Sequence, residues 1–124
     1  MDTYHVIGLM SGSSLDGLDI AYCQFDFTAE AVSFKIQAAD VAPYTDEWVQ
    51  EIKRLPVANA KTLWEVHTAM GAYFGERVAA FIHKHQLENK VDYVASHGHT
   101  IFHFPEKRFT TQIADGAALS AKAN

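Results

Sequence analysis

The sequence has 124 residues, 48% hydrophobic and 20% charged, which amounts to one domain with enough apolar material for a core and excludes a disordered segment. Ten basic residues against fifteen acidic ones leave a net charge of −5. The basic residues stand singly or in isolated pairs such as Lys53 with Arg54 and Lys107 with Arg108, which argues against nucleic acid or an anionic membrane as the main partner.

Cys23 is the only cysteine, so there is neither an intrachain disulfide framework nor a Cys-based zinc site, and a reduced, cytoplasmic setting is expected. Residues 1–5 lack the basic and apolar regions of a signal peptide, and no apolar run is long enough to span a bilayer.

Apolar residues run from Tyr4 through Met10, small and hydroxylated residues follow, and a second apolar run leaves from Leu18 to Phe25, a pattern that reads as strand, tight turn, strand. Gly12 and Gly17 allow φ > 0 and a close ligand, and Ser11, Ser13 and Ser14 add hydroxyl donors to the amides of the turn. A plain hairpin is the competing reading. The turn is longer than the two residues a tight hairpin needs, and Asp16 and Asp19 stand at its exit as hard oxygen ligands suited to a Mg-nucleotide.

Asp26 to Glu30 turns the chain, and Val32, Phe34, Ile36 and Ala38 alternate with Ser33, Lys35 and Gln37, which predicts a half-buried third strand of an antiparallel meander. Pro43 ends it. Thr45 then caps a helix with Asp46 and Glu47 in its first turn, an apolar face of Trp48, Val49, Ile52 and Leu55, Lys53 and Arg54 in its last turn, and Pro56 as its stop. A second helix is expected to open on a Thr62/Glu65 capping box, with Leu63, Val66, Met70, Phe74, Val78 and Phe81 at helical spacing to about His85. At 1.5 Å per residue it spans roughly 35 Å. Trp48, Phe74 and Phe81 read as core, and the small residues Gly71, Ala72 and Gly75 allow a close neighbour.

Val91 to Ser96 is a short apolar run after a helix, the mark of a strand reached by a crossover. His97-Gly98-His99-Thr100 follows. Ile101 to Phe104, a turn over Glu106 to Arg108, and Phe109 to Ile113 then predict a hairpin. Asp115-Gly116 opens an Ala-rich helix of barely two turns before Asn124, which suggests a chain cut inside an element.

His97, His99 and His103 alternate and would point the same way on a strand, yet no carboxylate or Cys is spaced to close a zinc site around them. His97, Thr100, Gln112 and Asp115 lie at the ends of predicted strands, where open α/β sheets bind ligands; Asp115 reads equally as the N-cap of the last helix.

Three segments, Ile7–Asp19, Ala95–Pro105 and Thr110–Ala118, together resemble the anhydro-N-acetylmuramic acid kinase family, in the same order. The resemblance implies an α/β fold: the ribonuclease-H-like N-terminal lobe of the actin, hexokinase and heat-shock ATPase superfamily, a mixed sheet with helices, here truncated. Residues 1–124 would form the N-terminal lobe fragment of a two-lobed sugar kinase. The implied reaction is ATP-dependent phosphorylation of 1,6-anhydro-N-acetylmuramic acid with hydrolytic opening of its anhydro ring, giving N-acetylmuramic acid 6-phosphate.

By the same resemblance Gly12, Ser13, Ser14, Leu15, Asp16, Gly17, Leu18 and Asp19 match the ATP phosphate loop, and Asp16 orients water on Mg²⁺. His97, Thr100, Gln112 and Asp115 are assigned to the sugar side. Ser13 stands where the family has Thr, His99 where it has Gln, and Ala114 where it has Gly; the last matters only if that backbone needs φ > 0. The catalytic Asp is expected beyond Asn124, so this chain alone is expected to be inactive. A homodimer is expected from the face that a missing lobe would leave exposed. The rival readings are a non-catalytic nucleotide- or sugar-binding module, and a metal nuclease using Asp16, Asp19, Asp92 and Asp115, which the acidic balance disfavours.

Overall fold

Backbone pairing in a computed structural model, which describes residues 1–124, sorts the five strands into one mixed sheet. In chain order the elements are β1 (Asp2–Ser11), β2 (Gly17–Phe27), β3 (Val32–Pro43), α1 (Asp46–Arg54), α2 (Ala60–Lys84), β4 (Tyr93–Phe104), β5 (Phe109–Ile113) and α3 (Gly116–Ala123). The sheet runs β3-β2-β1-β4-β5, with β1 parallel to β4 and every other pair antiparallel. The expected meander is thus present, and the long helix α2 is the crossover that returns the chain parallel to β1. This is the mixed α/β sheet-and-helix lobe that the sequence predicts.

Alternation along β1 and β2 sends Ile7, Leu9, Leu18, Ile20 and Tyr22 to one face, where they share a single core with Ile52, Met70, Phe74, Val78 and Phe81 of the helices. Trp48 packs only partly buried against that core. The opposite face carries no helix. Tyr4, Met10, Phe27, Val41 and Tyr93 stand exposed there.

Thr45 caps α1 as expected, its side chain accepting from the Trp48 N–H at 3.3 Å. The start of α2 differs. Asn59 is the N-cap, its Oδ1 accepting from the Thr62 N–H at 2.8 Å, so the helix begins two residues before the expected Thr62/Glu65 box. A stronger cap lay just upstream and took the orphan amide first.

The alternation predicted for Val32, Phe34, Ile36 and Ala38 is broken by a bulge. Tyr22 pairs with Ala38 but Cys23 pairs with Ile36, so Gln37 is an extra residue in β3. One extra residue reverses the facing of everything before it. Ala38 consequently packs against the core, while Val32, Phe34 and Ile36 are 58%, 68% and 55% exposed on the open face.

A second bulge corrects the reading of Val91–Ser96 and Ile101–Phe104 as separate strands. Leu9 pairs with Ser96 and Ser11 with His99, two residues of β1 against three of β4, and Gly98 absorbs the excess at φ 78. The chain runs straight through as one twelve-residue strand.

Helix α3 has only eight residues, too few for stability alone. It is held because Gly71 and Gly75 of α2 let its backbone approach; a Cβ at Gly71 would collide with the main chain of Asp115, and one at Gly75 with the carbonyl of Leu119. The junction is strained at Ala114, which has φ 120. This is the condition under which alanine at 114 matters. Ala114→Gly is expected to raise stability by about 1 kcal/mol after the added chain entropy of glycine, an increase of roughly 4 °C in Tm. A scanning calorimetry trace with an unchanged or lower Tm would contradict it.

Candidate functional site

The turn of residues 12–16 closes on one internal hydrogen bond, from the Leu15 N–H to the Gly12 carbonyl at 3.2 Å. The amides of Gly12, Ser13, Ser14 and Asp16 are claimed by no carbonyl of the chain, and Ser13, Ser14 and Asp16 are exposed. Such an array of unclaimed N–H groups is what an anion needs. The positive φ expected at Gly12 and Gly17 falls instead on Leu15, at φ 57, whose side chain packs against the core and anchors the turn. Gly17 serves a different purpose. A Cβ there would strike the Ala42 carbonyl, so glycine is what lets β2 lie against the end of β3.

Ser11 is not the free hydroxyl donor that the sequence suggests. It is 3% exposed, and its Oγ lies 2.6 Å from the Tyr44 hydroxyl and 2.8 Å from His99 Nδ1. Burial pushes the Tyr44 phenol up to about 12, against a smaller opposing effect of the Ser11 hydrogen bond, so it keeps its proton. Burial also pushes the His99 imidazole below its ordinary value, so it is neutral near pH 7. The Tyr44 hydroxyl, Ser11 Oγ and His99 Nδ1 thus form one continuous hydrogen-bonded chain, with Ser11 Oγ at its middle. His99 therefore belongs to the foundation of the turn.

The extra residue at Gly98 also corrects the expectation that His97 and His99 point the same way. His99 is turned inward to Ser11, whereas His97 lines the open face. There it borders an open groove of about 980 Å³, together with Gly8, Met10, Asp19, Ala21 and Val41. Asp19, from the phosphate side of the predicted site, and His97, from the sugar side, thus meet in one groove.

The remaining predicted residues are dispersed. Leu18 is fully buried in the core, so its side chain is unavailable to a ligand, and Gly17 is buried beside it. Thr100 lies within β4 and not at a strand end. It pairs with Gln112, whose Nε2 donates to Thr100 Oγ1 at 3.2 Å and to Thr110 Oγ1 at 2.7 Å. Asp115 is the N-cap of α3, its Oδ2 accepting from the Ala118 N–H at 3.0 Å, with His67 Nε2 at 3.7 Å from its other oxygen. It stands on the helix side, away from the groove.

No three His, Cys, Asp or Glu side chains are gathered in one place. The nuclease set of Asp16, Asp19, Asp92 and Asp115 is accordingly not assembled, because Asp92 accepts from the His5 N–H at 2.7 Å and Asp115 caps a helix. Tyr44 was not legible as a site residue; its only sequence signal is its place between Pro43 and the cap Thr45.

Residues 4–124 match the family model described as anhydro-N-acetylmuramic acid kinase. Relatives carrying that name include one from Paramagnetospirillum magneticum, 36% identical over 94% of this chain and 32% of the relative. One from Rhodopseudomonas palustris is 34% identical over 92% of this chain and 33% of the relative. Another, from Pseudoalteromonas translucida, is 32% identical over 83% of this chain and 27% of the relative. The chain spans about a third of the length of the curated relatives it matches and belongs to the anhydro-N-acetylmuramic acid kinase family.

Proposed function

We propose that this chain supplies the phosphate-binding part of a kinase that transfers a phosphoryl group from ATP to 1,6-anhydro-N-acetylmuramic acid as water opens the anhydro ring, giving N-acetylmuramic acid 6-phosphate. The observation that carries the reading is the exposed turn with four unclaimed amides, at Gly12, Ser13, Ser14 and Asp16. Amides fixed in advance at a phosphate stabilise its charge without reorganising during transfer. Ser13 and Ser14 add hydroxyl donors at the same exposed surface.

The donor set fits Mg²⁺. Asp16 and Asp19 offer exposed carboxylates, and the Lys and Arg ion pairs of the chain go to Glu51, Glu65 and Asp40, leaving both uncompensated. Asp16 would orient metal-bound water beside the turn, and the cation would neutralise charge between the phosphates. His97, on the groove shared with Asp19, is the best placed of the predicted sugar-side residues. Phosphoryl transfer needs groups on both sides of the phosphates, so the region described here is a binder and not a complete catalyst. The same reading includes a cytoplasmic setting, supported by the single free Cys23, and self-association through the exposed apolar face of the sheet.

Calorimetric titration of the 124-residue chain with Mg²⁺ and ATP tests this. Saturable heat is expected, and Asp16→Asn should weaken binding about tenfold only when Mg²⁺ is present, close to 1.4 kcal/mol. The reading is overturned by an absence of heat with ATP. Heat with the anhydro-sugar alone would instead identify a sugar-binding module.

A further inference from the structure

One residue holds both ends of the turn. The Tyr44 hydroxyl lies 2.6 Å from Ser11 Oγ, and the Tyr44 main-chain N–H donates to the Asp16 carbonyl at 3.3 Å. Ser11 immediately precedes the turn and Asp16 is its last residue, so the two bonds straddle it. His99 holds Ser11 from the other side at 2.8 Å. The Tyr44 ring is in turn set by packing, with the Tyr73 centroid 6.1 Å away.

Between these anchors the turn has a single internal bond. Left to itself, a loop of this length would sample many arrangements of its amides, and a ligand would have to suppress them on binding. Fixing one end from a packed aromatic ring and the other from the main chain of the same residue removes that cost beforehand. The phenol can serve only as a neutral hydroxyl, since burial raises its pKa to about 12.

We propose that Tyr44 is a positioning residue which, through Ser11 and Asp16, pre-orders the turn for an anionic polyphosphate. The identity of the ligand rests on the phosphate-binding reading above; the ordering of the turn does not.

Tyr44→Phe deletes the hydroxyl while keeping the ring and the main-chain N–H. Two measurements on the 124-residue chain decide the matter: ¹⁵N relaxation without ligand, and calorimetry with Mg²⁺ and inorganic triphosphate. In the variant, order parameters at Gly12, Ser13 and Ser14 are expected to fall from about 0.85 to below about 0.6. Triphosphate affinity should drop about tenfold while Tm stays within a few degrees of the parent. Ser11→Ala should reproduce both changes, and the double variant should lose no more than either single one, because the two side chains form one link. Should Tyr44→Phe fail to fold, Ser11→Ala carries the test, since it leaves the ring packing in place.

A turn as ordered in both variants as in the parent overturns the proposal, whatever happens to Tm. If the parent itself gives no heat with triphosphate, the phosphate reading falls and the relaxation data alone decide whether Tyr44 positions the turn.

Discussion

Gly98→Ala is expected to lower stability by about 2–5 kcal/mol, a large share of the ~5–15 kcal/mol that holds a domain of this kind together. Two costs add. The backbone at 98 sits at φ 78, where a Cβ carries a strain of about 1–2 kcal/mol. That Cβ would also lie 2.5 Å from the Ile113 carbonyl oxygen and 3.4 Å from Gln112 Cβ, so β5 would have to give way at a cost of about 1–3 kcal/mol. The nearest contact is main chain, which cannot rotate aside as a side-chain tip can. Damage would reach the site through His99, the next residue, whose Nδ1 supports Ser11. Urea denaturation followed by circular dichroism measures the loss, and a variant within about 1 kcal/mol of the parent would show that the bulge tolerates a side chain.

Phe74→Ala is expected to cost about 3–5 kcal/mol by the lost transfer free energy of the ring and the cavity it leaves. Phe74 is 0% exposed at the middle of α2, in the one core that the helices share with the sheet. Neighbours on both sides, Met70 and Val78, are also 0% exposed and held by the same helix, so the hole cannot close by local collapse. Phe34→Ala is the matched control. Phe34 is 68% exposed on the open face, and its truncation should change stability by less than about 0.5 kcal/mol. Equal losses for the two, measured from denaturant midpoints, would mean that the helix-covered face is not the main core.

Much of this architecture was legible in the sequence because period and punctuation carry it. The helical spacing of Val66, Met70, Phe74, Val78 and Phe81 marks a buried face, and all five are buried. Thr45 and Pro56 bracket α1 by chemistry that acts within a few residues. What failed was non-local. The bulge at Gln37 depends on how β3 meets β2, and nothing in the alternation of Val32 to Ala38 encodes it. The same holds for Gly98, where β1 sets the count against β4. In the turn, the hydroxylated residues and the carboxylates could be read directly, but not their fates. Ser11 is consumed by Tyr44, 33 positions away, and by His99, 88 positions away, and contacts at that separation leave no mark on local pattern.

The unpaired residue in β4 has one more consequence. It makes a single strand serve two opposite sides of the molecule within three positions, placing the His97 ring over open solvent and the His99 ring under the hairpin it props up. Were the bulge flattened with all three residues kept, Gly98 would fall opposite Ser11 and the His99 ring would turn over, presenting to the groove what now braces the loop.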